Sequence, residues 1–239
     1  MTDPTPNATS SDGAVFRSRP DRQLMTDWVY EEIRGAIVDL RLQPGAALRE
    51  AAISAQLGVS KTPVREALGR LEQEGLVETT SFKGAFVSDY SERDLEEIYE
   101  LRELLEGAAA RVAAMDATEE TRDALRDVIE RSRAARDAGD PSGLADLLGR
   151  FDAVVYEQVT NRRIRALIET LRAHLTRIGK LTEHIPGRVE TSVEEHAVIV
   201  DAIMRADPEA AERAMRAHIE SVRTDQLAGM RASTEAEPR

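Results

Sequence analysis

The chain has no cysteine in its 239 residues, which excludes disulfides, thiolate metal sites and a cysteine nucleophile. Aromatic residues make up only 4% of it. Strands draw on β-branched and aromatic side chains, so a chain poor in rings and rich in Ala, Leu, Glu and Arg favours helices. No stretch approaches the roughly 18 consecutive apolar residues that a membrane span requires. The opening segment MTDPTPNATSSDGAVFRSRP lacks the apolar core of a signal peptide, which predicts a cytoplasmic protein with no membrane partner. Cationic residues are outnumbered, 32 Lys and Arg against 44 Asp and Glu, for a net charge of −12. A protein that coats nucleic acid without sequence preference needs the opposite balance; a small local DNA-reading surface does not.

What is present falls into two blocks. Residues 1–22 mix Pro, Ser, Thr, Asn and Asp with no periodic apolar positions and read as a disordered tail, and 229–239 read as a second one. From Leu24 the apolar positions Trp28, Ile33, Ile37 and Leu40 recur at helical spacing until Pro44 and Gly45 force a turn. A short helix over REAAISAQL ends at Gly58. The next begins at SKTPVREALGRLEQEGL, where Pro63 suits a first turn and Ser60 or Thr62 can cap. Gly75 ends it, and LVETTSFKGAFVS alternates around Lys83 and Gly84 as a β-hairpin. Helix, helix, turn, helix, hairpin is the order of a winged helix-turn-helix over residues 23–90. From Ser91 to residue 228 the chain reads as an all-α antiparallel bundle of six to seven helices. Their starts are marked by the capping residues Ser91, Thr118, Asp140, Asn161 and Asp207. No residue signature recurs at a fixed period, so helical repeats are not expected.

Residues 48–87, LREAAISAQLGVSKTPVREALGRLEQEGLVETTSFKGAFV, resemble the N-terminal domain of GntR-family transcription regulators through Leu-Gly-Val-Ser, Thr-Pro-Val-Arg-Glu-Ala-Leu, Glu-Gly-Leu-Val and the wing glycine. The physics agrees. The first turn of a recognition helix offers free N–H groups and a positive dipole end to phosphate, and short polar side chains there reach base edges. Ser60, Lys61, Thr62 and Arg65 occupy that turn, with Arg65 the candidate for bidentate contact to guanine. Lys83 beside Gly84 at the hairpin tip, and more weakly Arg49, are candidates for backbone or minor-groove contact. Any one of these cations alone would be read as a solvated charge; the spacing and context give them a partner, double-stranded DNA.

In the second block, His196 and His218 each lie eleven positions from Asp207 in SVEEHAVIVDAIMRADPEAAERAMRAHIE. If the flanking helices form a hairpin about Asp207 and Pro208, both histidines lie level, about 16 Å from the turn at 1.5 Å per residue. Each sits on an apolar stripe and should point inward. Asp152 borders the stripe Leu144, Leu148, Phe151, Val155 and Val159, and a carboxylate there needs a partner. Arg102 shares the stripe Leu95, Ile98, Leu105 and Ala109, so its guanidinium turns inward to a carboxylate of protein or ligand. His174 and His184 are read as structural.

The stretches LEEIYELRELLEGAAARVAA, RFDAVVYEQVTN and EEHAVIVDAI with AMRAHI resemble the FCD-type effector domain of FadR-like regulators. That resemblance implies a homodimer and a small organic-acid effector, often beside a bound divalent metal; a two-His, one-carboxylate donor set suits Zn, Ni, Mn or Fe. The resemblance favours Arg102 as an effector clamp over an internal salt bridge; Asn161 is most simply an N-cap, and its position at the end of the helix carrying Phe151 and Asp152 also makes it a candidate for the cavity wall. In that family residues 148–152 would read Asp-x-x-Phe-His; here they read Leu148-Gly149-Arg150-Phe151-Asp152. Two outcomes stay open: Asp152, His196 and His218 as a two-His, one-carboxylate metal set, or a metal-free polar network in which Asp152 pairs with a histidine. The function expected is a dimeric regulator, a repressor, that binds a palindromic operator and answers to an organic acid. The alternative is a metal-dependent enzyme using Asp152, His196 and His218. Against it, no i, i+4 His pair with a Glu, no phosphate loop and no nucleophile elbow is present.

Overall fold

The computed structural model describes residues 20–181, 185 and 187–236. The first 19 residues and His184 lie outside them.

α1 (Pro20–Val38), β1 (Ala47–Leu48), α2 (Glu50–Leu57), α3 (Lys61–Gln73), β2 (Val77–Thr80) and β3 (Gly84–Val87) form the winged head. α1 begins four residues before the expected Leu24. Residues 20–23 have no apolar member to betray them, but proline is at home in the first turn of a helix, where its missing N–H costs nothing. Gly58 caps α2 in the left-handed conformation at φ 67°, its N–H bonded to Ser54 O. Gly75, at φ 77°, turns the chain out of α3. The strands pair antiparallel in the order β1-β3-β2. Thr80 pairs with Gly84, so Ser81, Phe82 and Lys83 make the hairpin turn, and Gly84 is a strand residue rather than its tip. The two-residue β1 had no legible alternation. Val29, Ile33, Ile37, Val64, Leu68, Leu71 and Val87 close the core of the head, and Ala173 from far along the chain joins them.

α4 (Glu92–Asp116), α5 (Glu119–Ala138), α6 (Pro141–Glu157), α7 (Arg162–Leu181), α8 (Arg188–Met204) and α9 (Pro208–Ala236) form the bundle. The capping residues act as expected. Ser91 and Asp94 make a reciprocal capping box, and Thr118, Asp140, Asn161 and Asp207 each accept a first-turn N–H. α4 is central, packed by α6, α7, α8 and α9. Its buried alanines 109, 110, 113 and 114 let the neighbouring helices approach closely. α9 runs on to Ala236 where a disordered tail from 229 was expected. Nothing in RASTEA breaks a helix, and Arg231 bonds Glu92 at the head of α4 at 2.6 Å. Among the described residues no helix is long and apolar enough to cross a membrane.

Candidate functional site

The head presents Ser60, Lys61, Thr62 and Arg65 to solvent at the start of α3, while Pro63, Val64, Ala67 and Leu68 are buried behind them. That division is what a reading helix requires: an apolar face anchors it, and its polar N-terminal turn stays free. Ser60 stands at the N-cap position with no side-chain cap bond, so its hydroxyl is not spent on the helix. Arg65 is not free. Its Nε and Nη2 donate to the two carboxylate oxygens of Glu50 at 2.8 and 2.7 Å. Hydrogen bonding to Arg65 lowers the Glu50 pKa, outweighing its slight burial. Glu50 was missed in the sequence, where it reads only as an acidic first-turn residue of α2. Arg49, Lys83 and Gly84 are exposed, and a cleft of about 520 Å³ between α3 and the wing is lined by Arg49, Glu50, Arg65 and Lys83. Phe82, at the wing tip, is fully exposed with a left-handed backbone, φ 70°. Glu66 and Arg70 face the other way. Thr26 donates to Glu66 at 2.9 Å, and Arg70 bonds Asp27 at 2.6 Å while lying 3.9 Å above the Tyr30 ring, so both fasten α3 to α1.

In the bundle the structure brings His196 and His218 together, Nε2 to Nε2 at 3.3 Å, with both side chains almost wholly buried. Phe151 stacks on the His196 ring, centroids 3.8 Å apart. His218 Nδ1 meets Glu195 Oε2 at 2.7 Å. Burial opposes ionisation of Glu195, but hydrogen bonds from His218 and Ser221, with the nearby Arg188 charge, bring its pKa down to about 2. An ionised carboxylate only accepts, so His218 Nδ1 carries the proton and its Nε2 lone pair accepts from His196 Nε2–H. That leaves His196 Nδ1 an acceptor, and among the described residues it has no hydrogen-bond partner. Burial, then the charges of His218, Arg102 and Arg188, hold the His196 pKa far below its usual value. His218 is lowered too, by burial that the Glu195 bond only partly offsets.

A separation of 3.3 Å suits a long N–H···N bond, and also the edge between two nitrogens on one tetrahedral ion, given metal–nitrogen distances of about 2.0–2.1 Å. The remaining ligands decide between them. Among the described residues no group of three His, Asp or Glu side chains could hold a metal ion, so Asp152, His196 and His218 do not assemble as the expected set. The charges acting on half-buried Asp152 are those of Glu106, Arg102 and Arg172. Burial first, then Glu106, pushes its pKa up to about 7 against the two arginines. Leu147, not Leu148, completes the buried stripe of α6.

Arg102 does turn inward, and its partner is internal: Nε donates to Glu106 Oε1 at 2.6 Å, with both side chains buried. The other Glu106 oxygen makes no close hydrogen bond among the described residues, with Tyr156 its polar neighbour. A carboxylate four residues after an inward arginine on one helix was the signal that could have found it. Arg188, also missed, bonds Ser221 and Asp225 at 2.8 Å and Ser192 at 3.0 Å, and pairs with Glu195. Asn161 is exposed, and its amide oxygen caps α7, accepting from Arg163 N at 2.9 Å. That is a helix-start role and not a cavity-wall one.

Two protein-family models match the chain: bacterial regulatory proteins, gntR family, over residues 25–87, and the FCD domain over residues 97–221. The chain is 33% identical over 202 residues to the probable D-xylose utilization operon transcriptional repressor of Paenarthrobacter nicotinovorans, covering 84% of this chain and 88% of that protein. It is 26% identical over 200 residues to the HTH-type transcriptional repressor RspR of Escherichia coli K12, with coverage of 84% and 88%. Among solved structures it resembles E. coli McbR/YncC, with a TM-score of 0.68 at 24% identity over 85% of this chain and 97% of that one. A putative GntR regulator from Rhodococcus sp. RHA1 gives a TM-score of 0.67 at 23% identity, with the same coverage. At those identities the structural likeness is one of fold.

Proposed function

The chain belongs to the gntR family of bacterial regulatory proteins and carries an FCD domain, and from that premise we propose that it is a homodimeric repressor whose winged heads read a palindromic operator and whose bundle binds a small organic acid. The observation that carries the DNA assignment is the outward set Lys61, Thr62, Arg65 and Lys83 on an otherwise anchored helix and wing. Its small size fits a net charge of −12: affinity comes from a few placed contacts, doubled by dimerisation, and not from a broad basic surface. On DNA the guanine edge takes the place of the Glu50 carboxylate at Arg65, one planar acceptor pair for another.

The cavity reading rests on Arg102, Glu106, Asp152, His196 and His218, a polar group sunk in an apolar bundle. An organic acid's carboxylate competes with Glu106 for Arg102, and His196 Nδ1 accepts from a hydroxyl of the same ligand. Glu106 displaced from Arg102 leaves two neighbouring carboxyl groups, which share a proton to avoid like-charge repulsion. With no third ligand converging on the two imidazoles among the described residues, binding is assigned to the protein's own cation and not to a metal. The acid acts as a switch only by binding the DNA-competent and DNA-incompetent arrangements unequally.

The test has two arms. Arg65→Ala should lower affinity for the selected operator roughly tenfold or more, the worth of one bidentate base contact, and unchanged specific binding would overturn the DNA assignment. A thermal-shift panel of small carboxylates, run on chelator-treated protein with and without added Zn²⁺, Ni²⁺, Mn²⁺ or Fe²⁺, should show metal-independent stabilisation that Arg102→Gln abolishes. Stabilisation that requires metal would refute the protein-only cavity.

A further inference from the structure

One face of α7 crosses from the bundle into the head. Ala173, His174, Arg177 and Lys180 are spaced so that a helix presents them together, and each meets a different part of the reading domain or the segment that leaves it after β3. Ala173 is buried within the core of the head. His174 is bonded on both ring nitrogens, Nε2 to Glu74 O at 2.7 Å and Nδ1 to the Tyr90 hydroxyl at 2.8 Å. A carbonyl only accepts, so Nε2 carries the proton and Nδ1 accepts from Tyr90. Arg177 has no exposed surface; it donates to Ser88 O, and its guanidinium lies 4.7 Å from the centre of the Tyr90 ring. Lys180 reaches Asp39, just beyond the end of α1, at 2.7 Å.

The contact with Glu74 is the decisive one. Glu74 is the C-cap of α3, so the carbonyl that His174 holds belongs to the far end of the helix whose first turn carries Lys61, Thr62 and Arg65. Gly75, left-handed at φ 77°, follows directly, and its missing Cβ would stand 3.5 Å from the His174 ring. The recognition helix is thus gripped at one end by the bundle and offered to DNA at the other. Arg177 shows that the grip is not a relaxed one: its Nε and Nη1, and Ser88 Oγ beside it, are buried without hydrogen-bond partners among the described residues. Burying a cation against a carbonyl and the Tyr90 side chain, with no carboxylate bonded to it among the described residues, disfavours the closed seam relative to an opened one in which water solvates it.

We propose that this face of α7, with His174 as its central contact, is the positioning element that sets the direction of α3 relative to the bundle, and thereby the half-site spacing the dimer accepts. The inference rests on the dimeric, operator-binding reading above. Two recognition helices held rigidly in two-fold symmetry accept one separation of half-sites. Heads released from the seam sample many directions, so the right spacing is bound less well in proportion to the time spent misaligned, and wrong spacings are bound better.

Tyr90→Phe removes only the hydroxyl bonded to Nδ1, and His174→Leu removes both bonds at similar volume. Neither residue lies on the DNA-facing side, so affinity for a single half-site should match the wild type. On palindromes whose half-sites are moved apart one base pair at a time, the wild type should favour one spacing by roughly tenfold or more, while His174→Leu, and to a smaller degree Tyr90→Phe, flattens the profile to about threefold or less. A packing role alone would lower stability and leave the spacing profile as it was; that outcome overturns the proposal. A second readout needs no operator. The chain has no cysteine, so spin labels at Gln56→Cys on α2 and Glu130→Cys on α5 are the only two per chain; diluted with excess unlabelled chain so that each dimer carries one labelled copy, they should give a distance narrowly distributed in the wild type and broad in His174→Leu. Equal widths overturn the positioning role. Narrow and broad widths in a chain that selects no palindrome would uphold it and place the fault in the operator reading.

Discussion

His174 shows how much one side chain's chemistry depends on packing that the sequence does not display. Read along the chain it is a histidine on an amphipathic helix; in the fold it is buried and faced by Tyr90, Glu74, Arg177 and Arg34. Burial first, then Arg177 and Arg34, holds its pKa below the ordinary 6.5, while the Glu74 carbonyl and carboxylate pull the other way. The folded chain therefore keeps His174 neutral where the unfolded chain already takes a proton. Its contribution to stability is complete above pH 6.5 and is lost as the pH falls below it. His196 and His218 act with the same sign, so the contribution of His174 is read as a difference: between pH 7.5 and 5.5 the melting temperature should fall further in the wild type than in His174→Leu. Equal slopes would show that the fold leaves the proton affinity of His174 unchanged and would overturn the lowered pKa. By contrast, Glu50 and Arg65 are half-exposed and exposed partners. Their fork orders a side chain for recognition and, screened by solvent, adds little to stability.

At the level of helices, the turn at Asp207 and Pro208 made the pairing of His196 with His218 legible, because equal distance from a tight turn is a statement about geometry that needs no neighbours. Arg102 was legible as inward for the same kind of reason, its place on an apolar stripe. What the stripe could not say is which partner waits inside. Nothing along the chain marks Glu106 and Arg188 as buried, because their burial depends on how α4, α8 and α9 pack. Asp152 was placed correctly at the edge of the α6 stripe, yet its surroundings turned out to be Arg102, Glu106 and Arg172 and not the imidazoles. The element that joins these pieces is α6, through Phe151, fully buried and stacked on His196. Phe151→Ala should cost about 3–5 kcal/mol by urea denaturation, the range for deleting a buried aromatic ring. A loss under about 1 kcal/mol would mean that the polar cluster collapses into the space and that the stack is not what holds it.

For the whole molecule, two separate cores were legible from composition and motif order, but their joining was not: Ala173 belongs by sequence to the bundle and by packing to the head. A contact a hundred residues from its partner leaves no local pattern. The same scale decides assembly. Leu101 and Leu104 on α4 are about half exposed and Met115 more so, with half-buried Ala108 and Val112 between them at helical spacing. That makes an apolar stripe along a helix whose opposite side is the centre of the bundle. A second copy laid along this stripe would satisfy it. Leu104→Glu should then shift the molecular mass measured by light scattering from dimer to monomer and weaken binding to a full palindrome far more than to a half-site. A variant that stays dimeric would move the interface elsewhere.

The scarcity of rings has one more effect. The single tryptophan, Trp28, stands half exposed on α1 in the head, and α1 is touched by α7. The protein therefore carries its one tryptophan in its reading domain, while the helices of the bundle carry tyrosines, Tyr99 and Tyr156. A change in tryptophan emission when a small acid is added, with no DNA present, would be light from one domain reporting an event in the other, without any label attached.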